Sequence, residues 1–256
     1  MRKIFQSAAL KAYGALARTG LMKWPLVRRL FLVFYSMYKT WVESGPIERL
    51  QDYVPAGSLV IDIGANVGFF TRKFARWVGE AGRVIAVEPD SENFTRLVAV
   101  VARDGHTSRV GAYHGAAASS DGVLHLQRNE LHPGDHRLAR DEQGIEVRAY
   151  TIDTLATADD RARISLIKID VQGAEMLVLN GAWETIEASR PALFVEIDDK
   201  ALRDFGSSAE EILDTLTQRN YAPHQLMPKG EPRRLTWEEV VNAVANDYTD
   251  VLFLPA

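Results

Sequence analysis

From Ser58 onward, apolar positions gather into short β-rich runs that alternate with stretches of helical period. Leu59–Ile63, Val84–Glu88 and Leu166–Asp170 predict strands, and helices are expected after each, near 68–79, 90–103 and 173–181. Such alternation implies right-handed crossovers and a parallel sheet covered on both faces, the doubly wound, Rossmann-like α/β class. Two stretches depart from it. Residues 116–150 predict a β-excursion, with Gly122–Gln127 and Ile145–Thr151 as strands around a polar loop, Asn129–Gly144, whose length suits an active-site lid. Toward the C-terminus, Ala192–Ile197 predicts a strand, Ser208–Arg219 a helix, and Tyr221–Leu226 with Asp250–Leu254 an antiparallel hairpin closing the sheet.

Before residue 46 the pattern is different. Residues 2–18 and 26–42 predict two helices separated by Gly20 and Pro25, the second apolar on most sides. The chain therefore divides into a helical extension, 1–45, and an α/β domain, 46–256. Charge sharpens that division, because residues 1–42 carry eight Lys/Arg and no Asp or Glu, while the rest holds all 34 acidic side chains. The longest wholly apolar run there, Leu30–Tyr35, is far below the roughly 20 residues of a membrane span. Basic residues mixed with Phe31, Phe34, Tyr35, Tyr38 and Trp41 suit peripheral contact with an anionic membrane. Packing on the α/β domain or on a second subunit is the alternative, so an oligomer stays open. The chain has no cysteine, which excludes disulfides and thiolate catalysis. A cytoplasmic location is expected, with any membrane contact at the inner face, and no nucleic-acid partner.

The sharpest local motif is Val60-Ile61-Asp62-Ile63-Gly64-Ala65-Asn66-Val67-Gly68-Phe69-Phe70. A buried strand reaches an acidic residue and turns through glycines into a helix, so a ligand is expected at that turn. The glycine spacing is not that of a dinucleotide fingerprint, and Asp62 would serve a pyrophosphate poorly but a cationic sulfonium bearing an amino acid well. Glu88 ends the next strand, where a carboxylate can accept both hydroxyl protons of an adenosine ribose. Asp90 reads as a helix cap.

The third constellation is Lys168-Ile169-Asp170-Val171-Gln172-Gly173-Ala174-Glu175, with Glu196 near the end of the following strand. Carboxyl ends of central strands line one crevice, which places Asp170 beside the same ligand as Asp62. Asp170 and Glu196 suit either a divalent cation or a general base toward a hydroxyl. The bland readings are that Asp170 caps the next helix and that Glu196 pairs with Lys168 or an arginine.

From about Ile47 to Leu254 the chain resembles the FkbM-type family of S-adenosylmethionine (SAM)-dependent methyltransferases. The matching pieces are the Asp62–Phe70 turn, Glu88-Pro89 with Asn93 and Leu97, Lys168–Glu175 and Phe194–Ile197. The resemblance implies a class I methyltransferase sheet, SAM as cofactor, and O-methylation of a sugar, glycolipid or polyketide-like acceptor. It implies that Gly64, Asn66 and Glu88 contact SAM, with Ala65, Gly68 and Phe69 in the same turn, and that Asp170 and Glu196 lie near the transferred methyl. Gln172 stands where many relatives have Glu, which weakens a three-carboxylate metal site. Gly134-Asp135-His136-Arg137 is similar to a loop in part of the family, making His136 a candidate base beside a plain solvated histidine. The rivals are a nicotinamide-dependent reductase or epimerase, disfavoured by the missing third glycine, and a non-catalytic membrane-peripheral scaffold.

Overall fold

The computed structural model describes residues 47–127, 137–138, 144–245 and 247–256. The predicted helices 2–18 and 26–42, and most of the Asn129–Gly144 loop including His136, lie outside them. Residues 51–226 with 231–256 form one compact unit. Of the other unit, residues 47–50 and 227–230 are described, where Arg49 donates to the Gly230 carbonyl at 3.3 Å.

The chain runs β1 (Leu59–Ile63), α1 (Phe69–Trp77), β2 (Arg83–Glu88), α2 (Ser91–Arg103) and β3 (Val110–His114). Then come β4 (Ala116–Ala117), β5 (Gly122–Gln127), β6 (Arg137–Leu138) and β7 (Ile145–Tyr150), followed by short helices α3 (Ile152–Leu155) and α4 (Ala158–Arg161). β8 (Ile164–Ile169), α5 (Glu175–Asn180), α6 (Trp183–Ser189), β9 (Ala192–Ile197) and α7 (Asp199–Asp204) restore the alternation. The chain closes with α8 (Ala209–Gln218), β10 (Tyr221–Gln225), β11 (Arg233–Arg234), α9 (Trp237–Val244) and β12 (Thr249–Pro255).

An eight-stranded sheet has the order β11-β10-β12-β9-β8-β1-β2-β3. β3, β2, β1, β8 and β9 are parallel, while β12 and β10 pair antiparallel, as the C-terminal pattern predicts. β1 is buried throughout, so its run Leu-Val-Ile-Asp-Ile does not alternate, in keeping with a strand covered on both faces. Ile61, Ile63, Ile167, Ile169, Leu193 and Val195 share one continuous core. From β1 the chain winds outward to β3 and later returns to β8 on the other flank, so β1 and β8 straddle the switch point where α/β sheets bind ligands. The excursion forms a second sheet, β4-β7-β5-β6.

Three differences from the sequence pattern have physical reasons. The segment read as a polar loop contains β6, which pairs antiparallel with β5 at Leu126 and Gln127. α5 begins at Glu175 rather than 173, because Gln172 and Gly173 hold φ of +57° and +108°, outside the helical region. Helices of four to seven residues, α3, α4, α6 and α7, are too short to show a 3.6-residue period.

Candidate active site

Strand register decides which side chains meet. Asp62 pairs with Lys168 across β1 and β8, and Ile63 with both Val87 and Ile169, so the polar ends of three strands share one level. On the β1 side, the turn into α1 is fastened by Glu88. Its Oε2 accepts from the Asn66 backbone N–H at 2.7 Å and its Oε1 from the Asp90 N–H at 2.9 Å. Glu88 is 4% exposed, and burial pushes its carboxyl up to about 7 against these donors. Asp90 caps α2 as predicted, its Oδ1 accepting from Glu92 and Asn93 N–H, both at 2.9 Å. α1 starts at Gly68, φ +88°, with no side-chain cap.

Gly64 has a packing reason for being glycine. A Cβ built on it would sit 1.9 Å from the Asp170 carbonyl oxygen, and its φ is +72°. The glycine thus lets the β1 and β8 ends close on each other, and the contact that forbids a side chain there is backbone. Asp62 is fully buried, its Oδ2 accepting from the Thr71 hydroxyl at 2.5 Å and its Oδ1 facing the Lys168 ammonium at 3.6 Å. Burial pushes this carboxyl up, against the pull of Lys168 and Thr71.

On the β8 side the network is built from side chains. Lys168, 3% exposed, places its ammonium 3.2 Å from Asp170 and donates to the Gly64 carbonyl at 3.0 Å. Burial alone would pull its pKa down, but Asp170 and Asp62 outweigh it and hold the ammonium above its usual range. The Gln172 amide donates to Asp170 Oδ1 at 3.2 Å and to Glu196 Oε2 at 2.6 Å. Among the described residues Glu196 is therefore joined to Gln172 rather than to a salt-bridging lysine or arginine, as one sequence reading had it. Burial, then the charges of Asp170, Asp250 and Glu175, push its carboxyl well above the ordinary range. Nor does Asp170 cap the next helix: α5 has Ala174 at its start and no side-chain cap, and Glu175 instead accepts from Gly173 N–H at 3.0 Å and Val171 N–H at 3.2 Å.

The structure brings together Asp62, Gly64, Asn66, Glu88, Asp170 and Glu196 at neighbouring strand ends; Ala65, Gly68 and Phe69 complete the turn. His136 lies outside the described residues. Sequence reasoning gave no role to Thr71 or to the buried Glu175, and knew Lys168 only as a possible partner of Glu196. A lysine inside a mostly apolar parallel strand was the available signal, because such a charge must be paired. Among the described residues no group of three or more His, Asp or Glu side chains is set to hold a metal ion, so the divalent-cation reading has no support there. A cavity of about 500 Å³ does open elsewhere, lined by Tyr113, Asp121, Arg148, Tyr150 and Thr154 among others, but neither Glu88 nor Asp170 borders it.

The profile of the Methyltransferase FkbM domain matches residues 62–223, from the buried aspartate of β1 into β10. The chain belongs to the FkbM methyltransferase family. Methyltransferase sdnD of Sordaria araneosa is 25% identical over 215 residues, 65% of this chain and 83% of that protein. AMB antimetabolite synthetase AmbE of Pseudomonas aeruginosa is 25% identical over 205 residues, which are 66% of this chain but only 10% of that protein. Among solved structures, an FkbM methyltransferase from Methylobacillus flagellatus KT aligns with TM-score 0.47 and 19% identity over 77% of this chain and 43% of that one. An O-methyltransferase from Bacillus cereus in complex with SAH aligns with TM-score 0.46 and 14% identity, over 82% and 79% respectively. The FkbM match spans all the strand-end carboxylates named above, Asp62, Glu88, Asp170 and Glu196.

Proposed function

We propose that this FkbM-family chain is a SAM-dependent O-methyltransferase acting on a hydroxyl of a sugar, glycolipid or polyketide-like acceptor. The observation that carries the reading is the convergence of a glycine turn, the buried Glu88 and the half-open Asp170 at the carboxyl ends of β1, β2 and β8. The residues fit SAM. Glu88 ends β2 with a carboxyl near 7, placed to accept ribose hydroxyls when ionised, and the uncapped start of α1 offers backbone N–H groups to an amino-acid carboxylate. Gly64, Ala65, Asn66, Gly68 and Phe69 shape that cradle, and Asp62, fully buried, steadies it from beneath through Thr71 and Lys168.

Bound SAM supplies an electrophilic methyl on a sulfonium. The chain's part is to hold the acceptor oxygen in line with it, which is where most of the acceleration arises, and to take the hydroxyl proton. Asp170 is the base in this reading because its side chain is 31% exposed, against 4% for Lys168. Glu196, pushed toward its protonated form, orients the acceptor or Asp170 rather than competing as base. His136 is a second candidate for the proton.

Cell extracts incubated with enzyme and methyl-labelled SAM test the reading. A hydroxylated metabolite carrying the label, seen by mass spectrometry only when enzyme is present, is expected; no labelled product with any extract, together with NADH binding in calorimetry, would favour the reductase alternative. We further infer from the basic, aromatic residues 1–42 that they bring the domain to an anionic membrane surface or lipid-linked acceptor. No helix among the described residues is long and apolar enough to cross a membrane. Full-length protein should co-sediment with anionic vesicles at low salt; recovery equal to that of residues 43–256 alone would remove the inference.

A further inference from the structure

We propose that Lys168 and Gln172 are positioning residues that stand, as an ammonium and an amide, where a divalent cation would otherwise bridge the carboxylates, so that the acceptor end works without a metal ion. The inference rests on the reading of Asp170 as the proton acceptor. Its starting point is the surroundings of the Lys168 Nζ. That atom has Asp170 Oδ2 at 3.2 Å, Asp62 Oδ1 at 3.6 Å, the Gly64 carbonyl at 3.0 Å and the Ile63 carbonyl at 3.4 Å. Two carboxylates and two carbonyls are the all-oxygen surroundings typical of a hard cation, here at hydrogen-bond rather than coordination distance. The Phe70 ring closes another side, its centroid 5.1 Å from Nζ. A lysine so placed does a cation's electrostatic work, and it is covalently fixed to the strand that delivers Asp170.

Gln172 completes the substitution at Asp170's other oxygen. Its Nε2 donates to Asp170 Oδ1 and Glu196 Oε2, linking residues 24 apart in the chain. An amide nitrogen has two hydrogens and no acceptor, so it satisfies two carboxyl oxygens as a bridging ion does, without bringing charge. The bridge also explains the backbone: Gln172 is a non-glycine residue in the left-handed region, φ +57°, a strained conformation that persists only where surrounding contacts hold it. Each Asp170 oxygen thus has a fixed donor, Lys168 on Oδ2 and Gln172 on Oδ1, and the carboxylate is held in one orientation while its side chain stays 31% exposed.

Electron paramagnetic resonance of free Mn²⁺ tests the proposal on the full-length chain with and without saturating S-adenosylhomocysteine. Wild type should show no Mn²⁺ site tighter than about 1 mM, and EDTA should leave its affinity for S-adenosylhomocysteine unchanged. Lys168→Met removes the ammonium and leaves the oxygens, and should gain at least about tenfold in Mn²⁺ affinity. Gln172→Glu, which keeps Lys168 and the fold's buried pair, should gain similarly by adding a third carboxylate. Tight Mn²⁺ binding by wild type, or less than a tenfold gain in every variant that folds, overturns the proposal. Failure of wild type to bind S-adenosylhomocysteine at all would instead count against the proposed methyltransferase reading, a separate outcome.

Discussion

The two ends of the strand-end crevice are built in different ways. At the β1–β2 end, Glu88 is fastened by backbone N–H groups of Asn66 and Asp90, and the turn is made by glycines. At the β8–β9 end, Lys168, Asp170, Gln172 and Glu196 hold one another through side chains. A carboxyl fastened by backbone donors keeps its place whatever side chains surround it, whereas a side-chain network changes with every substitution. The first end is therefore suited to a constant cofactor, and the second to chemistry tuned to a particular acceptor.

The contrast can be broken most severely where the ends touch. Gly64→Val places a side chain against the Asp170 carbonyl in a left-handed backbone, and should cost about 2–5 kcal/mol, the sum of overpacking and left-handed strain. Denaturant titration checks this; an unchanged midpoint would mean the two strand ends can part freely. Next in size, Asp170→Asn should lower turnover at least about 100-fold, the usual loss on removing a general base, on an acceptor found by labelling. Its affinity for SAM should stay near wild type, separating the two ends; equal losses of both would merge them.

A pH series sharpens the cofactor end. Ribose hydroxyls favour the ionised Glu88, so SAM should bind about tenfold more tightly at pH 8 than at pH 6 and release protons near pH 7. Glu88→Gln should flatten that profile. Without ligand the sign reverses: the folded Glu88 carboxyl, near 7, lies above its ordinary 4.5, so protonation favours the fold. That advantage is complete below pH 4.5 and gone above 7, so the ligand-free protein should lose thermal stability between them. Glu175, also held near 7 by burial, adds to the same trend. The smallest effect is expected from Asp90→Ala, which removes a helix cap but keeps the backbone N–H that Glu88 accepts from, and should cost about 1 kcal/mol with SAM affinity little changed.

What the sequence made legible follows the same division. Strands β1, β2, β8 and β9 stand out because each is a short, β-rich and mostly apolar run, and the closing β10–β12 pair because its two segments follow the last predicted helix as further strand-like runs. Glu88 and Asp90 were readable because strand ends and helix caps are local, two to four residues wide. Gln172 as the link to Glu196 was not, because that bond joins the turn after β8 to β9 across 24 residues and depends on a left-handed backbone no periodicity announces. The close approach of the Asp170 carbonyl to Gly64 was not legible either, since that neighbour comes from more than a hundred residues away.

Calorimetric titration of SAM into wild type and Glu88→Ala addresses the central claim, that the crevice at the ends of β1, β2 and β8 holds SAM through Glu88. The expected result is saturable binding by wild type and a loss of about 1–3 kcal/mol in the variant, as for removed charge-assisted hydrogen bonds. Equal affinity in the two proteins, or no binding by either, would contradict it.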